Sequence, residues 1–479
     1  MNRTIILAAA ALAACHGNNN QSVPPPPADC VLPAPIASAL DGGQVLELGT
    51  HQAGDSVTFS VPPGTASVSI LQQAVGNVPL QVVFKQGTGS LVTDNSVVPR
   101  FLYFPDGGVA YDDSLVIPTA ADKTQDPSNT FVEFSGDTPV AASFTFPNTA
   151  TSLAGGAGVT PGNWRFIVGD FAHECATEFA CLDGGTDQDR YDIKVVVKPQ
   201  AATAVLDVNF FIVGSNTTRT GVPFTAAVAP NDPTVQRMLE TYKSLFSRAH
   251  ITVRNTLFFD VSAADNAKYA HVVVNGDNSG QGPCDPVGQM FTLSAGSPQP
   301  AVNIFLVDDL LDTSAGATSQ LVGLDSTIPG PATLAGTVHS GAAVSMADLF
   351  FNSAAECAAK QTPNLTCGAD EVAYIAAHES GHFLGLFHTT ESGGTLMDPL
   401  TDTGKCACTA CGRPDQKSVC GNTDSSAPRL GADQCTGATA LSGCAGGDNL
   451  MFWLLDAANS LGTLSAQQQQ VMTLNPTVH

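Results

Sequence analysis

The sequence predicts a multidomain protein in which an all-β sandwich precedes a domain of the α/β (α+β) class. Over residues 43–199, short alternating or β-branched runs are separated by Gly- and Pro-containing turns, which is the pattern of a β-sandwich. From about residue 203, the pattern changes to alternating strands and helices. A chain of 479 residues is long enough for two such domains.

Five runs carry the β-sandwich prediction, because each combines β-branched or alternating apolar residues with flanking turn residues. They cover residues 56–61, 66–70, 81–84, 164–168 and 191–197. Alternation with a period of two directs one face of a strand into a core and the other towards solvent. Two sheets of this kind, packed face to face, form a sandwich.

The second domain is predicted over residues 203–479 from strand-like runs and three helical patterns. The strand-like runs cover residues 205–213, 251–261 and 302–307. Residues 232–249 predict a helix, because apolar side chains recur on one face. This apolar stripe contains Val235, Met238, Leu239, Tyr242 and Leu245. A second helix is predicted after Asp370, which can cap it, and a last helix over 464–472.

Three histidines lie close together in the segment 378–388. His378 and His382 are four residues apart, so a helix places both imidazoles on one face. Gly385 accepts a left-handed backbone, which lets the chain turn and bring His388 towards the first two rings. Three imidazoles can bind one zinc ion and leave its fourth position open, as in catalytic rather than structural zinc sites.

Glu379 directly follows the first histidine and points to a neighbouring sector of the helix. This position suits a general base acting on water rather than a further metal ligand. With its histidines, Glu379 and Gly385, the segment 378–388 resembles the extended motif HExxHxxGxxH of the metzincin clan of zinc endopeptidases, and every fixed position is present. The resemblance implies zinc-dependent hydrolysis of peptide bonds by the domain at 203–479.

Two shorter similarities accompany this motif. Residues 335–341 resemble the edge strand against which such enzymes lay an extended substrate. Residues 162–170 resemble a strand of the jelly-roll accessory domains found beside secreted bacterial peptidases. Together they imply a protein or peptide substrate and a jelly-roll-like accessory domain.

Enzymes of this clan carry a methionine on a tight turn beneath the zinc, and the sequence offers two candidates. Met451 follows a cysteine-rich insertion at 404–446, which resembles the pappalysins. Met397 lies nine residues after His388 and resembles the shorter arrangement of the matrixins. Met451 is favoured, because the predicted last helix follows it closely. Residues 398–403 then resemble a segment whose oxygens hold a structural Ca²⁺ ion, with an acidic solvated turn as an equal alternative.

The N-terminus has the features of an export signal. Arg3 precedes a short apolar run, and residues 1–14 predict a signal peptide. Residues 12–15 resemble a bacterial lipobox, which implies lipidation of Cys15, and a proline-rich tether over 15–42 follows. We therefore expect an exported protein, lipid-anchored to the bacterial outer membrane or cell surface. A conventional signal peptide, and hence a secreted protein, is the alternative.

The chain has 13 cysteines, too many for a typical reduced cytosolic enzyme. Removing Cys15 leaves an even number, which in an exported chain most simply forms disulfides and staples the insertion at 404–446. The plausible local pairs are Cys175 with Cys181 and Cys357 with Cys367. A structural zinc bound by the cysteines of residues 406–411 is the less favoured alternative.

The formal net charge of −24 restricts the partners of the chain. It argues against nucleic acid, whose phosphates need cationic side chains. It also argues against electrostatic adhesion to anionic lipid, so membrane attachment is expected through the lipid anchor only.

One function of a different class is an alternative. The protein would then be a non-catalytic surface adhesin, with a structural zinc site and a partner-binding sandwich. Glu379 and the open coordination position favour the enzyme.

Overall fold

The computed structural model shows a multidomain, β-rich protein with mixed sheets and, among the residues that it describes, few helices. It describes residues 5–6, 34–37, 43–75, 81–85, 90–94, 97, 101–112, 141–155, 159–169, 180–181, 190–201, 203–274, 285–312, 319–351, 357, 363–391, 397–406, 431–437, 440 and 443–479. Cys15 and most of the predicted signal peptide and tether lie outside these ranges. None of the helices in these ranges has the length and apolar character that a bilayer crossing requires. The domain boundaries stay predictions.

Residues 43–201, here called the N-terminal β region, form antiparallel sheets. Two short strands precede it, β1 Ile5–Ile6 and β2 Ile36–Ala37. Its own strands are β3 Gln44–Gln52, β4 Ser56–Val61, β5 Thr65–Ala74, β6 Gln81–Lys85, β7 Ser90–Asp94, β8 Phe101–Tyr103, β9 Val109–Asp112, β10 Ala141–Phe146, β11 Gly162–Ile167, β12 Ala180–Cys181 and β13 Arg190–Pro199. Its one described helix, α1 Ala150–Ala154, lies between β10 and β11 in the chain. The sheet orders are β10-β5-β13-β3, β4-β11-β8-β9 and β12-β6-β7.

The two four-stranded sheets of the N-terminal β region share one hydrophobic core. Strand β4 alternates between exposed and buried residues, so that Phe59 points into this core. Trp164 of β11 belongs to the same sheet, whereas Ile70 of β5 and Tyr191 of β13 enter the core from the other sheet. The arrangement supports two packed layers, and the jelly-roll-like sandwich stays a prediction.

Residues 203–479, here called the C-terminal region, contain a large five-stranded sheet and most of the described helices. The larger sheet has the order β15-β14-β17-β22-β20 and consists of β14 Ala204–Val213, β15 Ile251–Asp260, β17 Val302–Val307, β20 Gly323–Asp325 and β22 Ala342–Ser345. Its first four strands are parallel, and β20 is antiparallel to β22. Every residue of β17 is buried, as expected for a parallel strand covered on both faces. The three predicted strands are confirmed.

The remaining elements complete this region. They are β16 His271–Val274, β18 Asp309–Asp312, β19 Ser319–Leu321, β21 Leu334–Ala335, β23 Leu454–Leu455, α2 Pro233–Ser247, α3 Ala263–Tyr269, α4 Pro286–Phe291, α5 Gly368–Phe383, α6 Ala466–Leu474 and the 3₁₀ helices Ala229–Asn231, Thr292–Ser294 and Ala432–Cys435. A second five-stranded sheet, with shorter strands, has the order β16-β18-β19-β1-β23, and β2 pairs with β21. The predicted last helix is confirmed as α6.

Helices α2 and α5 are joined by an ion pair whose carboxylate is buried. Asp232 caps α2, and the predicted apolar stripe of this helix is buried, which confirms it. Asp370 is not the N-cap of α5, because that position belongs to Cys367. The carboxylate of Asp370 instead accepts two hydrogen bonds from the guanidinium of Arg237 (2.8 and 2.7 Å) and one from Thr241 Oγ1 (2.7 Å).

The predicted edge strand at 335–341 is wrong. The terminal strands of the larger sheet are β15 and β20, whereas residues 336–341 form a turn. Two contacts hold this turn: the Thr337 N–H donates to Ser340 Oγ (3.1 Å), and the two hydroxyl groups are hydrogen-bonded (2.6 Å). Gly336 has a φ of +79°, which interrupts the extended backbone that a strand needs.

Two disulfides lie within the described residues. Cys357 pairs with Cys367, as predicted, and Cys406 pairs with Cys444 across the insertion. The Sγ atom of Cys435 lies within 4.8 Å of those of Cys406 and Cys444. Cys175, one half of the other predicted pair, lies outside the described residues, as do the remaining cysteines of 407–430.

Side chains of the N-terminal β region and of the C-terminal region pack into each other's hydrophobic cores. Leu153 of α1 is buried in the core of the C-terminal region. Conversely, Ile328 and Phe387 are buried in the core of the N-terminal β region. Lys198 of β13 donates a hydrogen bond to the carbonyl oxygen of Asn475 (3.0 Å) at the end of α6. The two regions therefore share an interface with both apolar and polar contacts.

We expect Lys198 to make stability depend on pH. Its ammonium group contacts the carbonyl oxygens of Thr473 and Asn475, and burial lowers its pKa to about 7. Between about pH 7 and the unfolded value of 10.5, the unfolded chain keeps this proton and the folded chain does not. The free energy of unfolding therefore rises with pH across this window.

Urea denaturation of the wild type and Lys198→Met at several pH values tests this expectation. The difference in their free energies of unfolding should change by up to about 1.4 kcal/mol per pH unit above about pH 7. A difference that does not vary with pH would contradict the assignment.

Candidate metal centre

The chain reverses directly after helix α5. The helix ends at Phe383, and Gly385 adopts a φ of +104°, which side chains with a Cβ rarely tolerate. The N–H of Leu386 then donates to the carbonyl oxygen of Gly381 (2.9 Å), which closes the helix end. As expected from the sequence, this reversal carries His388 back towards the helix.

The structure brings the imidazoles of His378, His382 and His388 together. Their Nε2 atoms are 3.0 Å apart between His378 and His382, and 3.2 Å apart between each of these and His388. Tetrahedral zinc with Zn–N bonds of about 2.0–2.1 Å places ligand nitrogens roughly 3.3–3.4 Å from one another. The histidine triad therefore fits a single zinc ion and can hold a metal.

The other ring nitrogen of each histidine faces a hydrogen-bond acceptor. Nδ1 contacts the Leu450 carbonyl oxygen in His378 (2.6 Å), the Leu386 carbonyl oxygen in His382 (2.7 Å) and Glu391 Oε1 in His388 (2.9 Å). Because each Nδ1 donates its proton to such an acceptor, each Nε2 is left with a lone pair for a metal. These bonds also fix the orientation of the three rings.

Burial keeps His378 and His382 in the neutral form. His378 and His382 are fully buried and His388 is 3% exposed. Burial lowers the pKa of His378 to about 3, and burial together with the neighbouring imidazoles lowers the pKa of His382 well below its usual value. Neutral imidazole is the form that binds metal, so the environment favours ligation over protonation.

Glu379 lies between α5 and β20. A Cβ on Gly323 would come within 2.3 Å of Glu379 Oε1, so this strand position needs glycine. Among the described residues, neither carboxylate oxygen has a hydrogen-bond partner of normal geometry. Burial, followed by the charge of Asp325, raises the pKa of Glu379 well above its usual range, and a backbone hydrogen bond from Asp325 opposes this rise.

Asp325 is a site residue that the sequence analysis missed. It is 3% exposed, and within the described part of the chain its two carboxylate oxygens lack hydrogen-bond partners of normal geometry. Burial raises the pKa of Asp325 well above its usual range, while the backbone N–H groups of Ser326 and Thr327 oppose the shift. The available signal was weak: one acidic residue directly after the apolar run 321–324.

Met451 packs against the middle of the histidine pair. A Cβ on Gly381 would lie 2.6 Å from Met451 Sδ, so the thioether contacts the helix between His378 and His382. The carbonyl oxygen of Met451 accepts a hydrogen bond from the N–H of Thr389 (3.0 Å), the residue after the third histidine. Met397, the other methionine candidate, is only partly buried.

The predicted calcium segment gives no support for calcium. The ammonium group of Lys405 lies 3.2 Å from Asp398 Oδ1 and donates to the carbonyl oxygen of the same residue (2.7 Å). Asp402 Oδ2 accepts a hydrogen bond from the N–H of Gln467 (2.9 Å) in the first turn of α6. A lysine cation and a helix terminus therefore engage Asp398 Oδ1 and Asp402 Oδ2, two of the oxygens that would have faced the ion.

Comparisons with known proteins give no family assignment. No family model and no curated protein matches the sequence. Among solved structures, an archaemetzincin from Methanopyrus kandleri has a TM-score of 0.24 and 12% identity over 41% of this chain and 82% of its own. Two family two carbohydrate esterases have lower scores: one from Clostridium thermocellum in complex with cellohexaose (TM-score 0.13, 8% identity, 58% of this chain and 68% of its own) and one from Cellvibrio japonicus (0.10, 10%, 57% and 78%). We draw no conclusion about fold or function from similarities this weak.

We expect the triad to bind a single zinc ion per chain. His382→Ala removes one ligand. The zinc affinity of this variant should therefore fall by more than the roughly 10–100-fold that loss of a ligand's hydrogen-bond partner costs. His271→Ala is the control, because the ring of His271 is 64% exposed and paired with Asp309. Competition with a chromophoric chelator measures both affinities, and equal values would contradict the site.

The carboxylate of Glu391 should strengthen zinc binding through His388. Glu391→Gln keeps an oxygen for the Nδ1 proton but loses the charge, so we expect zinc affinity to fall roughly 10–100-fold. Glu240→Gln removes an exposed charge from α2 and serves as the control. The same chelator competition applies, and an unchanged affinity in Glu391→Gln would exclude this role.

Proposed function

We propose that the protein is a zinc-dependent endopeptidase, with His378, His382 and His388 as the metal ligands and Glu379 as the general base. The observation that carries the proposal is the convergence of three Nε2 atoms at the helix that also bears a buried carboxylate. When bound, zinc supplies a Lewis acid that polarises a carbonyl group and acidifies water.

Glu379 moves the proton in this proposal. Its carboxylate accepts the proton of the attacking water and then delivers it to the nitrogen of the leaving amine. Two observations support the role: the side chain is fully buried, and neither oxygen is engaged in a hydrogen bond of normal geometry with the described residues. Among the described residues, no protein group therefore occupies the lone pairs that the proton transfer needs.

Strand β20 suits an extended substrate. It is one of the two terminal strands of its sheet, and its first residue, Gly323, contacts Glu379. A peptide that adds to a terminal strand through backbone hydrogen bonds is held in a fixed register. In this proposal, protein or peptide is the substrate class, and a scissile bond would lie beside Glu379.

The finer relationship that we propose is pappalysin-like, with Met451 as the methionine of the Met-turn. The contact of its Sδ atom with Gly381 supports this choice over the matrixin-like arrangement with Met397. We further propose export with lipidation of Cys15 and attachment to the bacterial cell surface, supported by the lipobox-like residues 12–15.

The alternative is a non-catalytic adhesin with a structural zinc site. The observation that favours it is the nearly complete burial of the three histidines, which leaves little exposed surface at the ligands for a substrate to approach. The two functions differ in the role of Glu379, since a structural site needs no base.

Glu379→Gln separates the two functions. We expect this variant to keep zinc and to lose peptide cleavage by roughly 10²–10⁴-fold, because a positioned general base contributes about this factor. Zinc content and the product masses from a diverse peptide library, with and without a chelator, give both results. Glu240→Gln is the matched control.

Two outcomes contradict the proposal. Cleavage at the wild-type rate by Glu379→Gln would exclude this residue as the base. Zinc binding without any cleavage by the wild type would favour the adhesin.

A further inference from the structure

We infer that the N-terminal β region is a structural part of the metal centre, because it positions the loop that carries His388. The inference rests on the zinc site of the proposed function but does not require peptide cleavage. It assigns a positioning role to Phe387 and Ile328, which lie in the core of the N-terminal β region although they belong to the C-terminal region.

Phe387 links the third histidine to that core. Its neighbour Leu386 provides the carbonyl oxygen that holds the ring of His382, and its other neighbour is His388 itself. Phe387 is 5% exposed and packs with β-strand side chains of the N-terminal β region. A large aromatic ring in a close-packed core has few alternative positions, so it restrains the backbone on both sides.

Ile328 supports the same loop from the segment that follows β20. Among the described members of that core, only Ile328 and Phe387 lie outside the N-terminal β region. Two residues later, the N–H of Gly330 donates to the carbonyl oxygen of Phe383 at the end of α5 (3.0 Å). The carbonyl oxygen of Gly330 accepts a hydrogen bond from Ser143 of β10 (3.4 Å). A continuous set of contacts thus runs from β10 to the helix of the first two histidines.

Further contacts make the two regions interdependent. Leu334 forms a small buried cluster with Leu71 of β5 and Ala141 of β10. In the opposite direction, Leu153 of α1 enters the core of the C-terminal region. Separation of the regions would expose these side chains to water, which is unfavourable. The N-terminal β region is therefore not a detachable accessory.

Substitutions at Phe387 test the positioning role in the full chain. We expect Phe387→Ala to weaken zinc binding at least tenfold and Phe387→Leu to weaken it less, since leucine refills part of the space. Val57→Ala is the control, because it removes volume from the same core at strand β4, with no residue of the ligand loop beside it in sequence. Zinc affinity is measured by chelator competition at a temperature where circular dichroism shows each variant to be folded.

The comparison of Phe387 with Val57 decides the question. A drop in zinc affinity in both Phe387 variants but not in Val57→Ala supports positioning, and equal affinities in all four proteins overturn it. If Phe387→Ala does not fold, Phe387→Leu and Ile328→Ala carry the test. Amide hydrogen exchange at 385–390 is a second readout: faster exchange in the Phe387 variants is expected, and unchanged exchange counts against the inference.

A cut between the regions tests whether they can separate. A protease site inserted between 200 and 203 allows the folded, zinc-loaded chain to be cleaved at the junction. We expect the two pieces to elute together in gel filtration and to keep zinc. Separation of the pieces, with zinc retained by the C-terminal one, would overturn the inference. If the two pieces elute together and keep zinc but the protein does not cleave peptides, only the proposed enzymatic function is refuted.

Discussion

The candidate metal centre depends on three hydrogen bonds that fix the three imidazole rings through their Nδ1 atoms. The acceptors come from three places: the backbone of Leu386 after helix α5, the backbone of Leu450 before Met451, and the side chain of Glu391. None of these belongs to the helix that carries the first two histidines. A helical spacing of four places two rings on one face, but the surrounding segments determine where the nitrogen atoms point.

The turn that contains Leu450 is itself held by several elements. Asn449 Oδ1 accepts a hydrogen bond from the N–H of Met451 (2.8 Å), and Asn449 Nδ2 donates to Gln468 of α6 (2.8 Å). Tyr374 of α5 donates to the carbonyl oxygen of Asn449 (3.2 Å). The last helix therefore contributes to the geometry of the centre although it supplies no ligand. This explains in physical terms why the histidine motif alone cannot build the site.

Local patterns predicted much of this molecule from the sequence, and long-range contacts account for the errors. The stripe of α2 and the reversal at Gly385 follow from periodicity and from the conformational freedom of glycine. The sequence predicts a cap at Asp370, because nothing near this residue in the chain indicates its partner Arg237, which is 133 residues away. Phe387 and Asp325 carry only a weak local signal, since an apolar residue beside a ligand and an acid at the end of a short strand have many possible surroundings. Only the packing of distant elements gives them a role.

The buried acids show how the residues around the triad fit together electrostatically. Glu379 and Asp325 are close enough for the charge of one to raise the pKa of the other, and the structure shows no salt bridge to either among the described residues. A buried carboxylate without a cation is costly, and two of them beside each other are more so. His378 and His382 are neutral and cannot offset this charge. A divalent cation held by the triad would supply positive charge on the same helix as Glu379, so the acids and the histidines are complementary only when considered with a metal. In this arrangement the apolar surroundings, which disfavour charge, also increase the strength of each remaining electrostatic interaction.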